Sequence, residues 1–527
     1  ILSEKFNQLV NPATGKYFRT IALNGDASDE QRQEAFERLA MNEEDGTSDR
    51  EPLDYIFSVE ILNEGVDIVE VNQVIMLRPT QSPIVFIQQL GRGLRKAEGK
   101  EYVVILDFIG NYNNNFMIPI ALSGDRTYNP DNIRRYVISG NTTIPGASSI
   151  HFDEIAKEKI FTSIDKIKGM PTIIRESYLT LKNRLGRVPY LLDFYENGEI
   201  DPLVIIREYK TYQKFLELVE KDSYVGRISE QDLITLEYLS KTILSGTRPY
   251  ELEMLRKILQ QPSIKVDEFA TEIQKKYGHE IDYISLASAV DVLQGKFVSK
   301  VEEYEKYCHI DIVDAKEKSY VLRMAEFAER LNHSEFYRQV EDIIDVGLRR
   351  YVDKYTAQKE CNTPFVLYEK YSRRDVSFLM NCGKDLSSTM YGMKRIGEDV
   401  FIFITYHKES SEDKNYVDGK PDYADAFEDN MIFRWDSQIG RGIHSSYVQE
   451  VVTALHKHLL VKKSDAETNF YYLGEFEIMD VQPAHKNDNN GKERDITKFV
   501  LKMHHAVRDD LLRYLQSNIE TVEEQAG

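Results

Sequence analysis

The chain has 527 residues, a net charge of −20, and 42% hydrophobic against 29% charged residues. That is enough for about three packed domains. The acidic balance excludes a protein that coats nucleic acid non-specifically, while leaving room for a local basic groove.

No run approaches the roughly 18 apolar residues of a membrane span. No basic and apolar signal segment opens the chain, so a cytoplasmic location without membrane contact is expected. Cys308, Cys361 and Cys382 form no CxxC pair, which argues against a disulfide framework or a zinc site. The chain opens Ile1-Leu2-Ser3-Glu4, without methionine and in what reads as mid-domain, so a fragment is expected.

In chain order, Ile21–Leu23 is a short apolar run ending at Asn24-Gly25. Ser28 with Gln31 predicts a capping box for a helix running to about Met41, with Phe36, Leu39 and Ala40 facing inward. Asn42–Pro52 is polar and acidic, a loop. Tyr55–Val59, Val71–Leu77 and Tyr102–Asp107 are β-branched and aromatic runs of strand length, which predicts a parallel α/β sheet.

From about Pro130 to Glu360 apolar residues recur at helical spacing, as at Ile155, Ile160, Ile164 and Ile167. Leu216, Leu218 and Val219, then Leu252, Leu255 and Leu259, continue the pattern. Joints fall at Gly186–Pro189 and Gly246–Pro249. This predicts an all-helical region, in which the charge run Val301–Lys306 is a solvated face. His151, His279, His309 and His333 read as surface or core residues rather than ligands.

After Thr363-Pro364, Val400–Tyr406 is an unbroken strand. Ile432–Trp435 and Phe470–Leu473 are shorter strands, and Phe499–Met503 is either a strand or a helix start. Lys408–Tyr423 and His485–Asp495 read as polar loops, and Ala506–Gln516 as a final helix. The fold class is multidomain: α/β, then α, then β-rich, over residues 1–125, 126–362 and 363–527.

Asn63-Glu64-Gly65-Val66-Asp67, followed by Gln88-x-x-Gly91-Arg92-x-x-Arg95, resembles motifs V and VI of superfamily-2 helicases of the DEAD/DEAH type. The resemblance implies the second of two RecA-like lobes. Arg92 and Arg95 would be arginine fingers toward the γ-phosphate, with Gln88 orienting that site. Gly65, Asp67 and Gly91 would approach ATP, and Ser58 a DNA phosphate. No Gly-x-x-x-x-Gly-Lys-Ser/Thr loop or DExx box is present, so ATP and Mg²⁺ would be held mainly by a missing first lobe.

Asp107–Tyr112, Leu244–Tyr250, Phe433–Gln438 and Phe470–Gly474 together resemble helicases with a C-terminal DUF3427 domain, nearest the SauUSI kind of type IV restriction enzyme. This implies an N-terminal phospholipase-D-like nuclease and a terminal domain recognising modified cytosine in double-stranded DNA. The nuclease motif HxKxxxxD is not met at His407, His456, His458 or His485.

A base reader needs an aromatic face and short polar groups, which Trp435, Ser437, Gln438 and Tyr471 or Tyr472 could supply. Arg434, Arg441, His444, Lys462 and Lys463 could meet phosphates. The plainer reading makes Trp435 a core residue beside a turn. A metal nuclease on Asp422, Asp425 and Glu428 is a weaker alternative, and no metal site is expected. The helical region would couple recognition to the motor or serve as a homodimer surface. The competing functions are a superfamily-2 remodelling or repair helicase that reads DNA structure, and a non-catalytic DNA-binding or oligomerisation module.

Overall fold

The computed structural model describes residues 1–58 apart from 13, 48 and 49, then 71–77, 100, 102–108 and 117–123. It also describes 133, 136, 137, 150–153, 156, 157, 159 and 160, and 170–356 apart from 198, 199, 279, 280, 317 and 318. The last stretch is 363–516 apart from 408–415, 418, 419, 422–424, 465, 466 and 489–491. Contacts divide the chain into two compact units, Ile1–Lys168 and Gly169–Gly527. Among the described residues no helix is long and apolar enough to cross a membrane.

In the first unit, β1 (Thr20–Leu23) runs parallel to β2 (Tyr55–Ser58), with Leu23 opposite Ser58. The strand β3 (Gln73–Met76) runs parallel to β4 (Val104–Asp107). The Tyr55 hydroxyl donates to Gln73 Oε1 at 2.9 Å, linking β2 to β3. Ser28 and Gln31 form the expected capping box on the helix Asp29–Ala40. Ala35 is its most buried residue, and it packs with Leu23 and Leu53 beside Phe36 and Leu39. Ala40, expected to face inward, is exposed. At about 100° per residue it points roughly 140° away from Ala35.

The second unit begins with helices from Met170 to Arg350, followed by a π-turn at Tyr351–Tyr355. It is not all helical. The strands β5 (Ser263–Lys265), β6 (Val313–Lys316) and β7 (Tyr320–Arg323) form an antiparallel sheet in the order β5-β7-β6. Each buries one apolar residue (Ile264, Val313, Val321), too short a signal for a period-2 pattern to stand out. Leu216, Leu252 and Leu255 are buried as expected, whereas Leu218 is exposed. The Val301–Lys306 face is solvated as expected, with Glu303 paired to Lys241 and Lys306 to Glu237. Ile155, Ile164, Ile167 and His279 lie outside the described residues.

The rest of the unit is a mixed sheet. Its strands are β8 (Lys370–Tyr371), β9 (Met393–Ile396), β10 (Asp399–His407), β13 (Ala426–Phe427), β14 (Ile432–Asp436), β15 (His456–Ser464), β16 (Phe470–Asn487) and β17 (Glu493–Met503). The hairpin β11 (Tyr416–Val417) and β12 (Lys420–Pro421) stands apart. The order is β13-β14-β17-β16-β15-β10-β9, with β8 added to β16. Only β10 and β15 pair in parallel; the other ladders are antiparallel.

The unbroken run Val400–Tyr406 follows from burial on both faces, since successive residues of a strand point to opposite sides. Val400, Ile402, Ile404 and Tyr406 enter one core with Val448, Val451, Leu511 and Tyr514 of two helices. Phe401 and Phe403 enter a second core with Tyr351 and Tyr355, so the helical part closes that face. The stretch His485–Asp495 is not a loop as expected. His485 faces Asp495, and Asn487 faces Glu493, as arms of the β16–β17 hairpin. Phe499–Met503 is a strand.

Candidate nucleic-acid interface

Gly65, Asp67, Gln88, Gly91, Arg92 and Arg95 lie outside the described residues. Ser58 ends β2 and is exposed.

In the second unit the sheet's alternation decides which side chains can meet a ligand. On β14, Phe433 and Trp435 point into the core while Arg434 points out. Trp435 is 3% exposed and stacks on Phe499 with centroids 4.8 Å apart. This corrects the expectation of a stacking platform, because the ring is part of the core. Tyr471 and Tyr472 are buried in the two cores on opposite faces of the sheet.

Ser437 is also committed to the fold. Its hydroxyl donates to the Arg441 carbonyl at 2.8 Å and accepts from the Thr497 amide at 2.9 Å. Lys462 and Lys463, expected at phosphates, lie on buried β15. Lys462 Nζ donates to the Glu467 carbonyl at 2.8 Å, and Lys463 sits 4.7 Å from the Tyr514 ring centroid. Asp422 lies outside the described residues. Asp425 accepts from the Asp436 amide at 3.0 Å, and Glu428 pairs with Arg434. Arg434 is therefore exposed but already neutralised. Among the described residues no group of three or more His, Cys, Asp or Glu side chains is placed to hold a metal ion.

The structure leaves Gln438, Arg441 and His444 exposed on the loop between β14 and the helix Ser446–Thr453. Ser437 anchors that loop at one end, and the Gly440 amide donates to the Asp495 carbonyl at 2.9 Å. Gly440 has φ +83°, which a side chain would strain. Arg441 lies 5.5 Å from the Tyr447 ring centroid. Gln438 Nε2 donates to the Tyr391 carbonyl at 3.3 Å, which joins the loop to the turn before β9.

That contact brings in two residues the sequence reading missed. Tyr391 is 64% exposed. Arg373, half-buried at the start of the helix Arg373–Leu379, has its guanidinium 5.4 Å from the Tyr391 ring, 5.6 Å from Phe403 and 5.1 Å from Phe470. Burial lowers its pKa, with Tyr391 opposing. The Tyr447 phenol is pushed up to about 12 by burial, with Arg441 opposing. The local cue was Tyr391-Gly392, an aromatic beside a glycine at a strand entrance. Period alone does not separate such a tyrosine from the buried ones on β16.

Exposed, hydrogen-bonding and cationic groups thus converge on one patch, while the expected aromatic reader is buried. Family models match three separate stretches of the chain. Residues 3–97 match the helicase conserved C-terminal domain. Residues 174–353 match DUF8090 and residues 365–515 match DUF3427, two domains of unknown function. The first unit thus carries a helicase-type, RecA-like segment that includes the described strands β1, β2 and β3.

IRC3 of Saccharomyces cerevisiae, whose name describes an ATP-dependent helicase, is 42% identical over 50 residues. That stretch is 10% of this chain and 7% of IRC3. Three solved structures align weakly. The sulfur-binding and SRA domains of ScoMcrA with phosphorothioated DNA give a TM-score of 0.19 at 12% identity, covering 51% of this chain and 90% of that one. DNA-bound LlaBIII, an ATP-dependent Type ISP restriction-modification enzyme, gives 0.20 at 19%, covering 73% and 24%. The Type IV phosphorothioation-dependent restriction endonuclease ScoMcrA gives 0.20 at 11%, covering 53% and 67%. Scores at this level establish no shared fold.

Proposed function

We propose that this chain is the C-terminal part of an ATP-dependent restriction enzyme that acts on modified, 5-methylcytosine-type foreign DNA. It would supply half of the ATPase motor and a DNA-recognition domain. The observation that carries the reading is the joint match of residues 3–97 to a helicase C-terminal domain and of 365–515 to DUF3427. The exposed patch of Gln438, Arg441, Arg373 and Tyr391 in the second region supports it.

ATP hydrolysis would supply the energy of translocation, with Mg²⁺ neutralising phosphate charge and Arg92 and Arg95 stabilising charge that develops on the transferred phosphoryl group. The residues assigned to them lie outside the described set, so the geometry bears on DNA contact alone. There the side chains can bind phosphate through guanidinium groups and orient a strand through Gln438.

The test is DNA-stimulated ATP hydrolysis by the complete protein carrying Arg95→Ala, read beside binding to methylated and unmethylated duplexes. A loss of hydrolysis of about 10³-fold is expected for an arginine finger. Unchanged hydrolysis removes that assignment. Equal binding to both duplexes removes modification dependence and leaves a helicase that reads DNA structure.

A further inference from the structure

Asp and Glu outnumber Lys and Arg in this chain by 87 to 67. Several arginines at its surface find carboxylates: Arg187 pairs with Asp193, Arg256 with Asp345, Arg338 with Glu335, and Arg494 with Asp488. Arg373 and Arg441 do not. Among the described residues neither guanidinium donates a hydrogen bond or meets a carboxylate, and each lies against tyrosine. Arg373 Nε is buried with no acceptor, and so is the Tyr447 hydroxyl.

A desolvated cation without a partner is costly, and an arriving anion relieves that cost. Gly392, next to Tyr391, is where the turn before β9 packs closely on Gln438 and Tyr447, and only glycine fits there. Gly392 has φ +74°, and a Cβ there would stand 2.7 Å from Gln438 Nε2 and 3.3 Å from the Tyr447 hydroxyl.

Tyr391 adds a second kind of contact. Its ring is backed by Arg373 and is 64% exposed. A flat, exposed ring beside guanidinium groups suits a nucleotide, whose base has a π-face and whose phosphate has paired oxygens. In an intact duplex both faces of every base are already stacked, so the ring can receive only an unpaired base. We infer that Arg373, Tyr391, Gln438 and Arg441 bind one nucleotide of an unpaired DNA strand, with its base on Tyr391 and its phosphates on the two arginines. The inference rests on the proposed DNA-binding function and names the substrate form that this patch takes.

The experiment is fluorescence anisotropy of the full chain with three labelled DNAs: a short single strand, a blunt duplex, and a duplex with one extrahelical base. Tyr391→Ala should weaken binding to the single strand and the extrahelical base about tenfold, with the blunt duplex changed less than about twofold. Tyr391→Phe, which keeps the ring, should stay near wild type. Arg441→Gln should lower the slope of log affinity against log salt by about one. An unchanged melting temperature shows that each variant is folded.

Equal losses on all three DNAs, or none on any, overturn the assignment. A free deoxynucleoside monophosphate that competes as well as the strand overturns it in favour of a small-molecule site, and tighter binding of single-stranded RNA overturns the choice of DNA. If the chain binds none of the three DNAs, the proposed function fails as well. If it binds them and Tyr391→Ala behaves as wild type, only this inference fails.

Discussion

Arg248 stacks on the ring of Phe378 at 4.2 Å and donates to the Phe378 carbonyl at 3.0 Å. It also reaches Glu251, Ser288 and Asn381, so one side chain from a helical joint holds the start of the sheet region. Arg374 crosses the other way. It pairs with Asp385 at 2.6 Å and donates to Thr242 Oγ1 at 3.1 Å and to the Phe297 carbonyl at 3.3 Å. The helical and sheet parts of the second unit are therefore interlocked by two arginines, one from each side. Arg374 follows Arg373 in sequence, so the helix that carries the lock also carries one wall of the nucleotide patch.

Arg248→Ala should destabilise the second unit by ~3–5 kcal/mol, because it leaves Glu251 buried and uncompensated. Arg248→Met combined with Glu251→Leu should recover much of that loss. Denaturant unfolding of the full chain checks both, and a double variant no better than Arg248→Ala would refute the account.

Gly347 lies where the helix Ser334–Arg350 meets the helix Tyr250–Gln260. A Cβ on Gly347 would stand 2.7 Å from Leu252 Cδ2 and 3.1 Å from the Ile243 carbonyl. Gly246, at φ +67°, faces the Gly347 carbonyl at a built Cβ distance of 2.1 Å. Gly347→Ala should cost ~1–3 kcal/mol by overpacking. Gly246→Ala should cost more, because backbone strain adds to a backbone clash. Thermal unfolding ranks the two, and the reverse order would show that the joint yields more readily than the helix contact.

How much of this was legible in the sequence depended on whether the signal was local. The Ser28–Gln31 capping box and the Val400–Tyr406 strand were readable, since capping and continuous burial leave marks within a few residues. That Phe401 and Phe403 face a helical core while Ile402 and Ile404 face another was not. It depends on Tyr351 and Tyr355 folding back over the sheet. The choice between a core and a reading tryptophan at Trp435 was open in the sequence for the same reason, since its partner Phe499 lies far along the chain. Lys462 and Lys463 read as phosphate contacts, yet they sit in a buried strand where Glu467 and Tyr514 receive them. Arg373 and Tyr391 were invisible because nothing in sequence announces an arginine left without a carboxylate.

The burial of Trp435 separates a structural tryptophan from a reading one. Trp435→Ala should destabilise the second unit by ~3–5 kcal/mol, whereas Trp435→Phe should keep most of the stability and leave DNA affinity unchanged within about twofold. A folded Trp435→Phe variant that loses single-strand binding selectively would return this residue to the interface.

A pH effect is built into the helical part. Asp342 is buried and accepts from the amides of Leu191 at 2.6 Å and Leu192 at 3.0 Å, capping the helix Leu191–Glu196 from a distant helix. Burial raises its pKa from 3.8 to about 7, against the opposing pull of those amides and of Arg338, with Asp345 adding a like charge. Arg187 and Tyr212 also face it. Below about pH 4 both folded and unfolded chains hold the proton. Between about 4 and 7 the unfolded carboxyl has released it while the folded one keeps it, so the folded state binds more protons and stability falls as pH rises. Above that window both forms are ionised and the slope ends. Asp342→Asn should remove this component, flattening the curve by up to about 1.4 kcal/mol per pH unit at its steepest. The readout is the difference in unfolding free energy between wild type and variant across pH 4.5–7.5, which cancels every other titrating group. A difference that stays constant with pH would mean that the two amides hold Asp342 ionised throughout.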